Sequence, residues 1–560
     1  MADFDAIVIG SGITGGWAAK ELTERGLKVL MIERGPLIEH QSGYVNEMKA
    51  PWEMPFHGQG DANLYKREYF IQSKKTMFFN EWNQQHWAND KENPYSEAPG
   101  TKFEWYRGYQ LGGKSLTWGR QCYRWSDTDF GANKADGHGI DWPIRYADVA
   151  PWYDHVEDFI GVSGSAEGLD ILPDGHFLPP MELNAGERHV KALVEAQYPG
   201  RKLIIGRSAN ITRPVKDRAP CQYRGICNRG CSYGAYFSTQ SSTLPAARAT
   251  GRLTLMTDTV VERIEHDPAT GKATGVRTIG TKDRKRGQFT ARMIFCNAGT
   301  INTVGVLLRS TSERFPHGLG NSSGTLGKYL MDHATAMSAM ALINGVDDRA
   351  YYGNRPNNII MPRYRNIGAD REDFLRGFSY QGGAMRRGWK RGGGTAGLGA
   401  GLKDQLKGPG GWMMVFGAFA ECLPNAANRI SLHPTKTDSQ GLAQVEIAFS
   451  YGPNERAALR KAESDAREML EAAGATILAT TSEPDAGGSA IHEMGGARMG
   501  ADPAQSVVNA FNQCHDVPNV FVTDGACMSS TACQNPSLTY MALTARAAAA
   551  AVSKLQEGAV

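Results

Sequence analysis

The sequence lacks the features that mark several large classes of protein. Its 61 basic and 58 acidic residues nearly cancel, giving a formal net charge of +3, so no excess of positive charge favours nucleic acid as a partner. It contains no run of about 18 apolar residues, and we expect no membrane-spanning segment. The N-terminal stretch MADFDAIVIGSG has no basic region, which is not typical of a signal peptide.

Cysteine is also scarce, with nine in 560 residues, which is too few for a disulfide scaffold. The remaining composition, 41% hydrophobic and 21% charged, is that of an ordinary globular protein. This length predicts more than one domain, or one elaborated domain, with ample core.

The N-terminal glycine motif lies in the setting that a dinucleotide site requires. A predicted strand over 5–9 is followed by Gly10-Ser-Gly12-Ile-Thr-Gly15, a helical stretch, and a strand over 28–32 that ends at Glu33. Gly10 permits the tight turn, Gly12 lets the backbone approach a pyrophosphate, and Gly15 lets the helix pack against the strand. The pyrophosphate is expected at the helix N-terminus, with Glu33 on the ribose hydroxyls. The position near the N-terminus is typical of flavin enzymes, and NAD is the alternative.

Later segments are expected to join the same domain. Residues 252–278 alternate apolar and polar side chains with a turn at 268–271, which predicts strands. Residues 293–299 predict a buried strand ending at Ala298-Gly299, followed by a helix. Near the C-terminus, a strand over 519–523 ends at Asp524-Gly525, and Pro536 begins a long helix. The cofactor domain is therefore expected to be discontinuous and closed by the C-terminal segment. Residues 412–450 also alternate like strands, and we expect them in a sheet that covers the cofactor.

These motifs resemble the glucose–methanol–choline (GMC) family of flavin oxidoreductases. The resemblance spans nearly the whole chain and is carried by LGGKSLTWG (111–119), CNAGTINTVGVLLRS (296–310), LGKYLMDH (326–333), HEMGGARMG (492–500), VTDGA (522–526) and QNPSLT (534–539). The family's flavin loop is often GGSS-x-x-N, whereas Lys114 and Trp118 replace Ser and Asn here. The resemblance implies FAD as the cofactor.

The fold that the resemblance implies is α/β plus α+β. It combines a discontinuous Rossmann-like FAD-binding domain with a substrate-binding domain on a mostly antiparallel sheet, as in p-hydroxybenzoate hydroxylase. We assign 1–50, 106–160, 221–335 and 491–560 to the FAD domain, and 51–105, 161–220 and 336–490 to the substrate domain and lid insertions. The expected FAD contacts are Gly10, Gly12, Gly15, Glu33, Arg34, Gly112, Gly113, Ser115, Thr117, Trp118, Val260, Ala298, Gly299, Asp524, Gly525, Asn535 and Pro536.

Two residues match the family's catalytic pair. His492 matches the base that removes the alcohol proton as the hydride leaves for the flavin, and a neutral histidine suits that task. Asn535 matches the partner position, which holds His or Asn in the family, and it can orient the hydroxyl by hydrogen bonding. We expect His333, in YLMDH, to be a structural residue.

Three cysteines are clustered with the spacing C-x5-C-x3-C at Cys221, Cys227 and Cys231. Three thiolates can ligate three irons of a [3Fe–4S] cluster, with Arg224 and Arg229 offsetting its charge. The alternatives are zinc, a redox disulfide, inert buried thiols, or a four-iron cluster with a distant fourth ligand. The same spacing is found in the family's bacterial sugar dehydrogenases, where it resembles their three-iron site.

The resemblance therefore implies an FAD-dependent sugar dehydrogenase that acts on a sugar or glycoside hydroxyl, with C3 of glucosides preferred. The alternatives are a gluconate 2-dehydrogenase, fructose dehydrogenase or C1 glucose dehydrogenase large subunit, an oxygen-using pyranose or glycoside oxidase, and an electron-transfer subunit without a substrate. The implied partners are a small, gamma-type subunit and a cytochrome c or quinone-linked acceptor. Export to the periplasm or inner membrane would then depend on the small subunit, and a cytoplasmic enzyme is the alternative.

Overall fold

The structure is a computed structural model that describes residues 2–346, 348, 355–394 and 397–560. Residues 347, 349–354 and 395–396, assigned above to the substrate domain, lie outside the described residues. The domain boundaries themselves stay a prediction.

The strands of the described residues form two main sheets and two smaller ones. In chain order they are β1 (Phe4–Ile9), β2 (Val29–Ile32), β3 (Ser96–Glu97), β4 (Val162–Ser163), β5 (Phe177–Leu178), β6 (Ile204–Ile205), β7 (Leu253–Met256), β8 (Thr259–Asp267), β9 (Lys272–Gly280), β10 (Arg286–Cys296), β11 (Ala334–Ile343), β12 (Ile359–Met361), β13 (Phe378–Arg386), β14 (Trp412–Ala420), β15 (Arg429–Thr437), β16 (Ala443–Ala448), β17 (Thr476–Thr480) and β18 (Val520–Val522).

The first main sheet is a parallel sheet of the nucleotide-binding type with an antiparallel extension. Its strands run in the order β7-β2-β1-β10-β9-β8, with β18 also paired to β10. The pairs β1–β2, β1–β10, β2–β7 and β10–β18 are parallel, whereas β8 and β9 pair antiparallel to each other and β9 to β10. The carboxyl ends of parallel strands meet at one edge of a sheet. Four residues that directly follow these strands therefore lie at that edge: Gly10 after β1, Glu33 after β2, Asn297 after β10 and Thr523 after β18.

The described residues also form helices, several of which pack on the two main sheets. They are α1 (Ile13–Glu24), α2 (Ala62–Glu68), α3 (Asp127–Phe130), α4 (Ala132–Asp136), α5 (Tyr146–Ile160), α6 (Ala185–Gln197), α7 (Thr243–Ala249), α8 (Thr300–Arg309), α9 (Gly399–Leu406), α10 (Pro453–Ala472) and α11 (Ser537–Gln556). The first helix, α1, is nearly buried and packs against α7 and α11. The C-terminal helix thus closes the sheet that the N-terminus begins, as the sequence predicts.

The second main sheet is antiparallel, with the order β17-β11-β14-β13-β12-β6. One face is covered by α10, whose Leu459, Ala462 and Met469 are fully buried. The strand β14 alternates buried and partly exposed residues, which is the period of a strand with one face packed and one face open. The open face, with Val415, Gly417 and Phe419, lines a cavity.

The two expectations about strands, for 252–278 and for 412–450, have different outcomes. The turn at 268–271 falls between β8 and β9, so that expectation is confirmed. The expectation that all strands of 412–450 cover the cofactor is wrong in part. Only β14 belongs to the sheet over the cavity, because β15 and β16 pair with β3 in a separate three-stranded sheet.

Candidate active site

A large cavity of about 1780 Å³ is lined by residues of both main sheets. It runs from the glycine motif to the open face of the antiparallel sheet. The residues singled out in the sequence that line it are Gly10, Gly12, Glu33, Arg34, Gly113, Ser115, Thr117, Trp118, Cys227, Val260, Ala298, Gly299, His492, Asp524, Gly525 and Asn535. Segments from both ends of the chain therefore meet around one space.

Five other residues from the same set do not line the cavity but adjoin residues that do. A Cβ on Gly15 would lie 1.9 Å from the Gly10 carbonyl oxygen, so Gly15 supports the turn rather than facing the cavity. The amide of Gly112 donates to Ser11 Oγ at 2.9 Å. Pro536 is the N-cap residue of α11 and follows Asn535 directly. Cys221 and Cys231 lie in the loop that presents Cys227.

The glycine motif fits the pyrophosphate of FAD. A Cβ built on Gly12 meets no atom within 4 Å, although the backbone of Gly12 has an ordinary φ of −61°. The position is thus open toward the cavity without being strained. Gly12 is also the N-cap of α1 and has no side chain to occupy the free N–H groups of the first turn. An anion can therefore approach these groups directly.

Two buried carboxylates stand at the strand ends near this motif. Glu33 accepts hydrogen bonds from the amides of Ser11 (3.1 Å) and Gly35 (2.9 Å) and from Ser11 Oγ (2.5 Å). Asp524 accepts from the amides of Gly299 (2.9 Å) and Ala526 (3.0 Å). Burial raises the pKa of Glu33, and burial raises the pKa of Asp524 to about 6. Both are held by backbone donors, so their positions at the cavity wall are fixed.

His492 and Asn535 are in contact at the wall of the cavity. Asn535 Nδ2 lies 3.2 Å from His492 Nε2, although the residues are 43 positions apart in the chain. On its other side, His492 Nδ1 lies 2.9 Å from Nδ1 of the fully buried His333. Burial lowers the pKa of His492 well below its ordinary value, and His333, Lys114 and Lys75 lower it further. His492 is therefore a neutral imidazole with one ring nitrogen facing Asn535.

The backbone before His492 is held in an uncommon conformation. Ile491 has φ of 62°, in the left-handed region that a β-branched residue rarely adopts. The buried carboxylate of Asp332 accepts from the amides of Ala490 (3.2 Å) and His492 (3.0 Å) on either side of it. Burial and the nearby Glu493 raise the pKa of Asp332 to about 7. Strain of this kind, held by buried hydrogen bonds, is concentrated at functional sites.

Sequence reasoning missed two contacts of this pair. Gln381, on β13, donates from Nε2 to Asn535 Oδ1 at 2.6 Å. His333 is in contact with His492, where the sequence indicated only a structural role. The YLMDH motif is a signal that could have drawn attention to His333, but nothing in the local sequence singles out Gln381.

The cysteine loop borders the same cavity. Cys227 lines it together with Tyr223 and Gly225. The amide of Tyr223 lies 3.4 Å from Cys221 Sγ, and Arg224 Nη2 lies 3.6 Å from Cys231 Sγ. Burial raises the pKa of the Cys221 thiol, and the proximity of Cys227 and Cys231 raises it further. Thiols with N–H donors and a cation nearby suit an iron–sulfur cluster as donor chemistry. Within the described ranges, however, no group of three or more His, Cys, Asp or Glu side chains is arranged to hold a metal ion.

Comparison with known proteins agrees with the geometry. The N-terminal model of the GMC oxidoreductase family matches residues 4–335, and its C-terminal model matches residues 424–544. The chain belongs to the GMC oxidoreductase family. A 2-methyl-1,2-propanediol dehydrogenase from Mycolicibacterium austroafricanum is 30% identical to this chain. The alignment covers 97% of this chain and 94% of the relative.

Two further proteins are similar to this chain, one in sequence and one in fold. A fructose dehydrogenase large subunit from Gluconobacter japonicus is 25% identical, with 99% of this chain and 98% of the relative covered. A crystal structure of pyridoxine 4-oxidase from Mesorbium loti superimposes with a TM-score of 0.61 at 15% identity, covering 98% of this chain and 99% of that one. The expected fold class is therefore confirmed, as a GMC oxidoreductase fold with mixed α/β structure.

As a GMC oxidoreductase, the protein is an FAD-dependent enzyme that acts on CH–OH groups. Its departure from the family loop pattern has a structural consequence. Lys114 Nζ forms an ion pair of 2.8 Å with the Glu493 carboxylate, so the extra cation at the cavity wall is balanced beside His492.

No helix in the described ranges has both the length and the apolar character needed to cross a bilayer.

Proposed function

We propose that this GMC oxidoreductase is a sugar dehydrogenase that oxidises a hydroxyl group of a sugar or glycoside, with C3 of a glucoside as the favoured position. The observation that carries the proposal is the His492–Asn535 pair at the wall of the cavity that the glycine motif also lines. The pair offers one proton acceptor and one hydrogen-bond donor at the same place. An alcohol needs both, one to take its proton and one to hold its oxygen.

The roles of the side chains follow from their contacts. His492 Nε2 accepts the hydroxyl proton, while Asn535 Nδ2 donates to the hydroxyl oxygen. The C–H bond breaks with both of its electrons, and the carbon becomes a carbonyl carbon. Bound FAD supplies the acceptor for that hydride.

A polar substrate suits the wall of the cavity. Besides the His492–Asn535 pair, the wall carries side chains with several hydrogen-bonding groups, namely Arg120, Glu187, Arg355, Asn357 and Gln381. Sugars present many hydroxyls and need such groups to fix their orientation. The similarity to a fructose dehydrogenase large subunit supports the same substrate class.

We also propose that Cys221, Cys227 and Cys231 hold a [3Fe–4S] cluster, since their loop borders the cavity and carries three thiols with N–H donors nearby. Such a cluster would supply one-electron transfer to an acceptor other than oxygen. With it we propose the partners of this kind of enzyme, a small gamma-type subunit and a cytochrome c or quinone-linked acceptor. Location in the periplasm or at the inner membrane through the small subunit belongs to the same proposal.

The test is anaerobic bleaching of the flavin in the purified enzyme by methyl α-glucoside, with glucose, fructose and gluconate in parallel. Methyl α-glucoside has no free anomeric hydroxyl, so bleaching by it excludes C1 as the carbon oxidised in that substrate, and we expect the product to carry a 3-keto group. Bleaching by only one of the free compounds would overturn the glucoside assignment and identify the substrate. Bleaching by none would contradict the sugar dehydrogenase. Rapid reoxidation by air, in a protein without iron, would favour an oxidase.

A further inference from the structure

His333 has a contact on each of its ring nitrogens, and the two contacts differ in kind. Nε2 lies 2.9 Å from the carbonyl oxygen of Ala532, and Nδ1 lies 2.9 Å from His492 Nδ1. A carbonyl oxygen can only accept a hydrogen bond, so His333 Nε2 must carry a proton. Ala532 has φ of 53°, a left-handed conformation for a residue with a side chain, and its carbonyl group is thereby part of a strained segment.

The other nitrogen of His333 is then an acceptor. Burial lowers the pKa of His333 to about 4, so its ring is neutral and has only one N–H. With that proton on Nε2, the lone pair is on Nδ1. A hydrogen bond between the two Nδ1 atoms needs one proton, and His492 must therefore supply it.

We infer that His333 is a positioning residue that fixes the tautomer of His492, placing the His492 proton on Nδ1 and its lone pair on Nε2, the atom that faces Asn535. This inference rests on the proposed role of His492 as the base. The other tautomer would put a proton on Nε2, and the ring could not accept one from the substrate at that atom.

Hydrogen bonds to the backbone of His333 and of His492 hold the two rings in place. His333 directly precedes β11, and its carbonyl oxygen accepts from the Tyr451 hydroxyl at 2.8 Å. Its neighbour Asp332 holds the amide of His492 at 3.0 Å. Consecutive residues thus bind the backbone and the ring of the same histidine. Fixing a base by a second residue in this way is how a histidine is kept in its productive tautomer.

The test compares two substitutions of nearly equal shape in the holoenzyme. His333→Asn retains an acceptor, Oδ1, close to the place of Nδ1, whereas His333→Leu has none, and both lose the donor to Ala532. We expect His333→Leu to slow substrate reduction of the flavin about 10- to 100-fold, while His333→Asn restores most of the rate. In a His492→Ala background, His333→Leu should cause no further loss, because it acts through the absent ring. His266→Leu, which removes an imidazole packed against Phe315 away from the cavity, is the control.

A second readout does not depend on turnover. The enzyme is labelled with ¹⁵N at the imidazole nitrogens, and the His492 signals are identified by their loss in His492→Ala. We expect wild type and His333→Asn to show a protonated Nδ1 and an unprotonated Nε2, and His333→Leu to move the proton toward Nε2. A protonated Nε2 in the wild type, or equal rates and spectra for the Asn and Leu variants, would overturn the inference. If no sugar reduces the wild-type flavin, the proposed function fails while the spectra still decide the tautomer.

Discussion

Gln381 and Asn535 are joined by a hydrogen bond of 2.6 Å that runs from Gln381 Nε2 to Asn535 Oδ1. The first residue lies on the antiparallel sheet, and the second precedes the C-terminal helix of the parallel sheet. Because Asn535 Oδ1 is occupied by this donor, its Nδ2 is turned toward His492 Nε2. Gln381 therefore decides which end of the amide meets the base.

This relationship predicts unequal losses of rate for two similar variants. Gln381→Glu replaces the donor by a carboxylate, which attracts Nδ2 and turns Oδ1 toward His492, so that His492 Nε2 is favoured in its protonated form. We expect flavin reduction to slow more than about tenfold, which corresponds to about 1.4 kcal/mol. Gln381→Met removes the donor without adding charge and should cost less. The rate constant is measured by anaerobic stopped flow, and a Met variant slower than the Glu variant would contradict the role of the amide.

His492→Ala should leave FAD bound and lower the rate of its reduction by substrate at least about 100-fold, because the proton acceptor is lost. The visible spectrum gives the FAD content, and stopped flow gives the rate. Retention of rapid reduction in a fully loaded variant would exclude His492 as the base.

The wild-type rate should also show no titration of His492 at or above pH 6.5, the ordinary value for histidine. A base must be neutral to accept a proton, and its lowered pKa keeps it neutral throughout that range. An inflection near pH 7 that disappears in Asp332→Asn belongs to that carboxyl group, whose pKa is raised to about 7. A persisting inflection that coincides with titration of the His492 signals in the ¹⁵N spectrum would show that His492 titrates normally.

Substitution of the two glycines of the N-terminal motif should have different effects, one on FAD binding and the other on stability. Gly12→Val fills space that is open in the structure, so we expect a folded protein with little or no FAD. Gly15→Ala places a methyl group 1.9 Å from the Gly10 carbonyl oxygen, and we expect it to lower the free energy of unfolding by about 2 to 3 kcal/mol. FAD content is read from the spectrum and stability from thermal unfolding of the apo-proteins. Full FAD occupancy in a folded Gly12→Val protein would contradict the pyrophosphate assignment.

Cys227→Ser should remove most of the iron from the protein while leaving reduction of the flavin by sugar close to the wild-type rate. Thiolates are needed to hold the cluster, whereas the His492–Asn535 pair is untouched. Iron is measured by elemental analysis, and electron transfer by reduction of a cytochrome or quinone. Cys514→Ala, a buried cysteine outside the loop, is the matched control. Iron at the wild-type level in Cys227→Ser would refute the cluster site.

A buried carboxyl should make stability depend on pH. Burial, with the nearby Glu421, raises the pKa of Asp129 from 3.8 to about 7. The folded state therefore keeps a proton that the unfolded chain has already lost. Its contribution to stability is fully present below pH 3.8 and is lost as the pH rises through about 7.

Asp129→Asn, which stays neutral at every pH, should flatten this dependence. We expect the melting temperature of the wild type to fall from pH 5 to 8 more steeply than that of the variant. The corresponding slopes of the free energy of unfolding should differ by at most about 1.4 kcal/mol per pH unit. The Asn side chain can still accept from Ser126, whose amide donates to Asp129 at 2.7 Å. Equal slopes in thermal unfolding at several pH values would show that Asp129 is ionised in the folded protein.

Those parts of the protein that depend on local spacing can be predicted from the amino-acid sequence. The glycine motif, the strand before it and the acid after it are all read within 33 residues, because a βαβ unit is formed by neighbouring segments. The strand–turn–strand over β8 and β9 and the helix after Pro536 follow from local alternation and turn chemistry in the same way. The family motifs also indicate His492 and Asn535 as a pair, because each motif is a local sequence pattern.

The surroundings of that pair, in contrast, depend on the tertiary fold. His333 and His492 are 159 positions apart, and Gln381 and Asn535 are 154 apart, so no periodicity connects them. Their contacts depend on how the antiparallel sheet is placed against the carboxyl edge of the parallel sheet. The division of 412–450 between two sheets has the same origin, since alternation shows that a segment is a strand but not which partner it pairs with. The donors and acceptors that tune the base are therefore set by packing between distant segments.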